Sequence, residues 1–190
     1  LLCTLFILFR EDKPLENNVI DNPVIDETSN QKPPEIVEQT IEEKVDKIIN
    51  EMTIEEKIGQ MLIIYDTHET VDEELKQFIK DIKPSGFIIN QNNITTFDKT
   101  KKYIEDLKQN SEIPLIISID QEGGKVQRLQ NLEDEKATYI PSMLDLGKTN
   151  DIELAYEVGR VLAEDMRTLG INVVYAPVCD VFSNPYNEVI

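Results

Sequence analysis

The sequence predicts an α/β fold in which a parallel sheet is covered by helices. Short apolar runs alternate with amphipathic helical segments along most of the 190 residues. The runs are apolar almost throughout, which marks strands buried on both faces, and parallel neighbours need an intervening helix to return the chain. No Gly-x-Gly-x-x-Gly follows any strand and no Gly-x-x-x-x-Gly-Lys-Ser/Thr is present. The usual signatures of dinucleotide and phosphate-loop sheets are therefore missing. A doubly wound sheet fits about this chain length, whereas an eight-stranded barrel needs about 250 residues and would be roughly half present. Periodicity leaves both open.

The elements follow in order. Residues 1–9 are apolar apart from Thr4 and precede a charged segment, Arg10-Glu11-Asp12-Lys13. The run is too short to span a bilayer and is expected to be the trailing part of a signal sequence or membrane anchor, with a buried strand as the alternative. Residues 11–40 are rich in Asp, Glu, Asn and Pro, with Asn22-Pro23 and Pro33-Pro34. Such a composition cannot offset its ordering entropy and predicts a disordered acidic linker. From residue 41 helical periodicity sets in, with Ile41, Val45, Ile48 and Ile49 on one face. Thr53-Ile54-Glu55-Glu56 reads as a capping box opening a short helix to about Gln60. Strands are expected at residues 61–65, 86–90, 114–119 and 171–176. Helices are expected over Val71 to Ile82, Phe97 to Gln109, and Asp151 to Leu169, the last closed by Gly170 in a left-handed conformation. Between residues 120 and 150 the pattern is that of a Gly-Gly loop and a polar stretch.

Composition limits the partners. A net charge of −18 leaves no basic patch for nucleic acid or an anionic membrane surface. With only Cys3 and Cys179, both in apolar runs, a disulfide framework is not expected. The single histidine, His68, has no Cys or second His at ligand spacing and is expected to be an exposed loop residue, so no metal site is predicted.

Chemistry concentrates in Asp120-Gln121-Glu122-Gly123-Gly124-Lys125-Val126-Gln127-Arg128. Asp120 follows an apolar strand, at the end where parallel α/β folds place their sites. A carboxylate there can accept two hydroxyl hydrogen bonds from one sugar ring, and such charge-assisted bonds are the stronger kind. Paired glycines let backbone approach a ligand closely and permit positive φ. Arg128 supplies a planar fork of donors for further oxygens, or fixes Asp120. Read from pattern alone, a structural ion pair around a Gly-Gly turn serves equally well. Glu122, beside the glycines, is expected to be solvated. Arg160 and Arg167 have Glu157, Glu164 and Asp165 at helical spacing for partners.

The whole segment from Ile113 to Leu129 resembles the family 3 glycoside hydrolases, most like the bacterial β-N-acetylglucosaminidases. Three further stretches are similar in the same order: Met52 to Met61, Gly86-Phe87-Ile88, and Ala176-Pro177-Val178-Cys179-Asp180-Val181 with Ser183-Asn184-Pro185. Lys125 stands where the family usually has Arg. The resemblance implies the N-terminal half of a TIM-type (β/α)8 barrel over residues 41–190, incomplete, and a retaining exo-glycosidase removing terminal β-N-acetylglucosamine. It implies that Asp120 and Arg128 bind the non-reducing sugar. Asp180 is a further candidate, for substrate contact or for orienting an arginine of the following loop, with a structural acceptor of loop amides as the alternative. The acid/base and the Asp nucleophile are expected beyond Ile190, so no catalytic residue is assigned, and this piece by itself is expected to be inactive. No cofactor is implied. An extracytoplasmic, secreted or envelope-anchored location is expected, with oligosaccharide substrates such as cell-wall fragments. A β-glucosidase of the same family and a non-catalytic sugar-binding envelope protein are the rival readings.

Overall fold

The computed structural model describes residues 6–8, 39–134, 137–184 and 186–187. The chain divides into two compact units, one of Leu1–Arg10 with Thr53–Ile190 and one of Glu11–Met52. In the second unit the described structure is helix α1, Ile41–Glu51, opened by a capping box between Thr40 and Glu43. Its Ile41, Val45, Ile48 and Ile49 are exposed. The expected linker, up to residue 38, lies outside the described residues.

The larger unit begins with β1 (Phe6–Leu8), three residues of the expected leader; the rest of that leader, Cys3 included, lies outside the described residues. It continues with α2 (Ile54–Gly59), β2 (Ile63–Tyr65), α3 (Glu73–Ile82), β3 (Gly86–Ile89) and α4 (Phe97–Gln109). There follow β4 (Ile116–Ile119), the short pair β5 (Gln121–Gly123) and β6 (Val126–Gln127), α5 (Met143–Thr149), α6 (Ile152–Leu169) and β7 (Val173–Tyr175). Helix starts obey the local chemistry of exposed first-turn amides. Thr53 accepts from the Glu56 amide while Glu56 reaches back to the Thr53 amide. Asp72, Thr96, Ser142 and Asp151 cap α3, α4, α5 and α6 in the same manner. Gly170, at φ +83, ends α6 as expected. Among the described residues no helix is long and apolar enough to cross a membrane.

The main sheet has the order β1-β7-β4-β3-β2. β2, β3, β4 and β7 are mutually parallel, and β1 pairs antiparallel with β7. The parallel strands thus lie side by side in chain order. A doubly wound sheet reverses its strand order at a switch point, whereas a singly wound barrel wall does not, so the order matches the barrel type. Four strands are a wall of such a barrel, not a closed one.

One face of this wall packs on helices. Phe87, Ile89, Ile117, Ile119 and Val174 join Leu75 and Ile79 of α3, Tyr103, Ile104 and Leu107 of α4, and Leu162, Met166 and Leu169 of α6 in one core. Burying a large side chain of this kind stabilises by about 1.5–3 kcal/mol, so this face dominates cohesion. Because side chains alternate along a strand, Tyr65, Ile88, Ser118 and Val173 belong to the opposite face. They also stand in one register row, Tyr65 opposite Ile88, Ile88 opposite Ser118, and Ser118 opposite Val173. Asn172 stitches the last strand into place: its side chain accepts from the Ile117 amide at 2.8 Å and donates to the Leu115 carbonyl at 3.1 Å.

Two elements depart from expectation. Residues 121–127 form a two-stranded hairpin where a loop is predicted, and α5 occupies part of the predicted polar stretch. The reason lies in side-chain bracing, described next.

Candidate functional site

The site sits where the parallel strands end. Asp66 follows β2, Asn90 follows β3, Asp120 follows β4, and the segment leading to Asp180 follows β7. Parallel pairing brings all four to one edge of the sheet.

The β5–β6 hairpin positions the key groups, and each residue of its motif has a physical role. Gln121 and Gln127 are buried. Gln121 Oε1 accepts from the Leu129 amide at 3.1 Å. Gln127 Oε1 accepts from the Ile140 amide at 2.8 Å while its Nε2 donates to the Gly124 carbonyl at 2.7 Å. These bonds replace the ladder that so short a hairpin lacks. Gly123 and Gly124 turn the chain at φ +91 and φ +59, and a Cβ on Gly123 would lie 2.2 Å from the Pro141 carbonyl oxygen. Only glycine fits there without strain. Lys125 is exposed at the turn, so its exchange for the family's usual Arg leaves the site alone.

The hairpin bends Arg128 back onto Asp120. Arg128 Nη2 donates to Asp120 Oδ2 at 3.1 Å, and both side chains remain about one-third exposed, 33% and 32%. A pair so open to water contributes about 1 kcal/mol or less to stability, which makes a purely structural purpose a weak explanation for it. The contact engages one carboxylate oxygen and one guanidinium nitrogen, leaving Asp120 Oδ1 and the other guanidinium donors without a side-chain partner among the described residues. The pair borders a cavity of about 230 Å³ lined also by Tyr65, Ile88, Asn90 and Gln91. An aromatic ring, an acceptor pair and a fork of donors around one cavity suit a polyhydroxylated ring.

Asp180 does not line that cavity. It is exposed and borders a neighbouring cavity of about 130 Å³ with Glu122, Ser142, Met143 and Phe182. Glu122, expected to be solvated, is half-buried there. Burial, and then the charge of Asp120, push its carboxyl above the usual carboxylate range, with Arg128 opposing and Asp180 adding to the shift. Nothing in its local sequence signalled this, because Ser142, Met143 and Phe182, which line the same cavity, come from distant segments.

His68 is 58% exposed, as expected of a loop residue, but it is anchored. Its Nδ1 lies 2.7 Å from Asp66 Oδ1, and Asp66 Oδ2 also accepts from the Tyr103 hydroxyl at 2.8 Å. The Asp66 carboxylate raises the imidazole above its ordinary value, and burial followed by the bond to Asp66 raises the Tyr103 phenol. The loop is held further by Asn93, which donates to the His68 carbonyl at 2.6 Å, and by Asn90, which donates to the Asp66 carbonyl at 2.9 Å. Arg160 pairs with Glu157 and Glu164, the helical partners expected for it. Cys179 is a free, exposed thiol, and no cluster of three metal-ligating side chains occurs among the described residues.

Residues 53–190 match the glycosyl hydrolase family 3 N-terminal domain. A beta-hexosaminidase A of Pseudoalteromonas piscicida is 34% identical over 130 residues, covering 64% of this chain and 21% of its own length. A beta-hexosaminidase of Glaesserella parasuis is 30% identical over 120 residues, covering 63% and 34%. Among solved structures, a family 3 beta-N-acetylglucosaminidase from Paenibacillus sp. superposes with a TM-score of 0.61 at 32% identity, covering 66% of this chain and 24% of that one. NagZ from Neisseria gonorrhoeae, in complex with N-trifluoroacetyl-D-glucosamine, gives 0.52 at 31% identity, covering 58% and 33%. The chain thus spans between about a fifth and a third of the length of the curated relatives it matches. With the motif, the strand order and the match all falling in the same residues, the chain belongs to glycosyl hydrolase family 3, as part of its N-terminal domain.

Proposed function

We propose that this chain contributes the sugar-gripping part of a retaining exo-β-N-acetylglucosaminidase, which releases terminal non-reducing β-N-acetylglucosamine. The observation that carries the reading is the Asp120–Arg128 pair held at the strand ends by the braced hairpin, with its 3.1 Å contact and open hydrogen-bonding capacity. The relatives named as hexosaminidases and N-acetylglucosaminidases support the sugar, as does the N-trifluoroacetyl-D-glucosamine bound by the Neisseria enzyme. Asp120 accepts from ring hydroxyls of the terminal sugar, Arg128 donates to others, and Tyr65 and Ile88 bound the apolar side of the same cavity. Orientation of this kind turns the later chemical step into an effectively intramolecular one.

Proton transfer and nucleophilic attack fall to side chains outside residues 1–190. In a retaining mechanism an Asp nucleophile and an acid/base stand about 5–5.5 Å apart and work through a glycosyl-enzyme. The enzyme acts outside the cytoplasm, secreted or anchored to the envelope, on oligosaccharides such as cell-wall fragments. The test is turnover of chromogenic β-N-acetylglucosaminide and β-glucoside by the full-length protein. Preferential release from the N-acetylglucosaminide is expected, and preference for the glucoside would overturn the assignment of the sugar.

A further inference from the structure

Beside Asp120 and Arg128, two residues with side-chain amides line the clamp cavity, Asn90 and Gln91. Their hydrogen bonding differs. The Asn90 side chain is engaged inside the protein: its Nδ2 donates to the Asp66 carbonyl at 2.9 Å and to Asn93 Oδ1 at 2.8 Å, and its Oδ1 accepts from the Asn92 amide at 2.9 Å. Gln91 is exposed, and its side-chain amide makes no hydrogen bond among the described residues. One acceptor and two donors therefore remain open on it.

The backbone that carries Gln91 is firmly held. Gln91 opens a single 3-10 turn, Gln91–Asn93, capped by Asn90. Asn93 is buried and ties this turn to the segment after β2: its Oδ1 accepts from the Asn90 amide at 3.1 Å, and its Nδ2 donates to the carbonyls of Asp66 and His68 at 3.1 and 2.6 Å. The turn follows β3, which pairs with β2 on one side and with β4 on the other. Both neighbours of Gln91 along the strand-end edge thus belong to this chain. An open amide on a braced turn has only its own side-chain freedom to lose on meeting a ligand.

We infer that Gln91 is a further binding residue for the terminal sugar, its side-chain amide hydrogen-bonding one of the ring hydroxyls. This rests on the proposed reading of the cavity as the sugar site. The amide supplies what the charged pair lacks. Ionised Asp120 only accepts and Arg128 only donates, whereas an amide does both, as a hydroxyl does. A sugar without the matching hydroxyl leaves this contact unmade, so Gln91 adds discrimination among terminal sugars to the grip of the pair.

The experiment is calorimetry on the full-length protein with N-acetylglucosamine and its 3-, 4- and 6-deoxy analogues. Gln91→Ala is expected to weaken N-acetylglucosamine about 5-fold, the size of one net hydrogen bond. For one of the three analogues, the penalty for the missing hydroxyl is expected to shrink by the same factor in the variant, because variant and analogue each delete the same contact. Asn92→Ala, at an exposed neighbour in the same turn that does not line the cavity, is expected to leave affinity unchanged. Deoxy penalties identical in wild type and Gln91→Ala for all three analogues overturn the inference alone. So does an equal loss in Gln91→Ala and Asn92→Ala, which is the mark of a disturbed turn. A wild type that does not bind N-acetylglucosamine overturns the proposed sugar, and the inference with it.

Discussion

Replacing Gly123 by alanine tests whether the hairpin geometry at the site is as constrained as it looks. The added Cβ would lie 2.2 Å from the Pro141 carbonyl oxygen, 0.8 Å inside the 3.0 Å that real Cβ contacts respect, and 3.2 Å from Ile140 Cγ2. Relief by moving the 140–141 segment is opposed by two bonds that tie it to the hairpin, Gly124 N–H to the Ile140 carbonyl at 3.0 Å and Ile140 N–H to Gln127 Oε1 at 2.8 Å. Overpacking of this kind costs about 1–3 kcal/mol. The left-handed region, here φ +91, costs an L-residue roughly 1–2 kcal/mol more. The expected loss is therefore roughly 2–5 kcal/mol. Gly159 is the internal control: it lies inside α6, exposed, with nothing within 4 Å of a built Cβ. Gly159→Ala is expected to stabilise by up to about 1 kcal/mol through helix propensity. Urea unfolding followed by far-UV circular dichroism measures both, with Gly123→Ala placed in the Gly159→Ala background so that a folded baseline survives. A Gly123→Ala loss below about 0.5 kcal/mol, the range of ordinary surface changes, would refute the argument from close approach.

His68 is the chain's single histidine, so one imidazole resonance reports on it without ambiguity. It is expected to titrate above its ordinary value of about 6.5, and Asp66→Asn to return it there. Because the folded value is the raised one, the stabilisation it brings is complete below the unfolded value and fades as pH rises through the folded one. Asn172→Ala removes the acceptor for the buried Ile117 amide and a donor to the Leu115 carbonyl, so a loss of about 2–3 kcal/mol is expected in the same urea assay. Arg128→Lys retains the charge but not the planar fork, and is expected to weaken binding of N-acetylglucosamine at least about 10-fold by calorimetry on the full-length protein, with Asp120→Ala at least as severe. Unchanged affinity in both variants would remove the pair from the sugar site.

What could be read from the sequence was local. Thr53, Gly170 and the helix boundaries at Phe97 and Gln109 fell where expected because caps and periodicity involve residues within a turn of each other. Nearly continuous apolar runs likewise announced the strands, although Ile63 and Tyr65 of β2 are exposed and not buried as such runs predict. The hairpin at 121–127 escaped because its stability comes from the buried amides of Gln121 and Gln127, whose partners Leu129 and Ile140 lie eight and thirteen residues away. Its glycines and polar residues otherwise have a loop's composition. Helix α5 did leave a signal, Ser142 three residues before Asp145, the side-chain cap seen in the structure. At seven residues it was too short for a period to emerge. Strand order was beyond periodicity altogether, since the same alternation of runs serves a doubly wound sheet and a barrel wall.

The same division applies to the site. Asp120 and Arg128 were legible because the motif confines them to one hairpin, eight residues apart, and a short chain has few ways to bring its ends together across a Gly-Gly turn. Glu122 lies in that hairpin too, yet its burial depends on the segments at 142–144 and 178–182, brought in by α5 and by the chain leaving β7. Asp180 reaches the same cavity only because β7 pairs with β4 and releases the chain at the shared strand end. The Asp120–Arg128 pair is thus a local product of one hairpin, while the cavity at Glu122 is assembled from three separate segments. Substitutions that shift α5 or the loop after β7 should accordingly disturb the cavity at Glu122 before they disturb the Asp120–Arg128 pair.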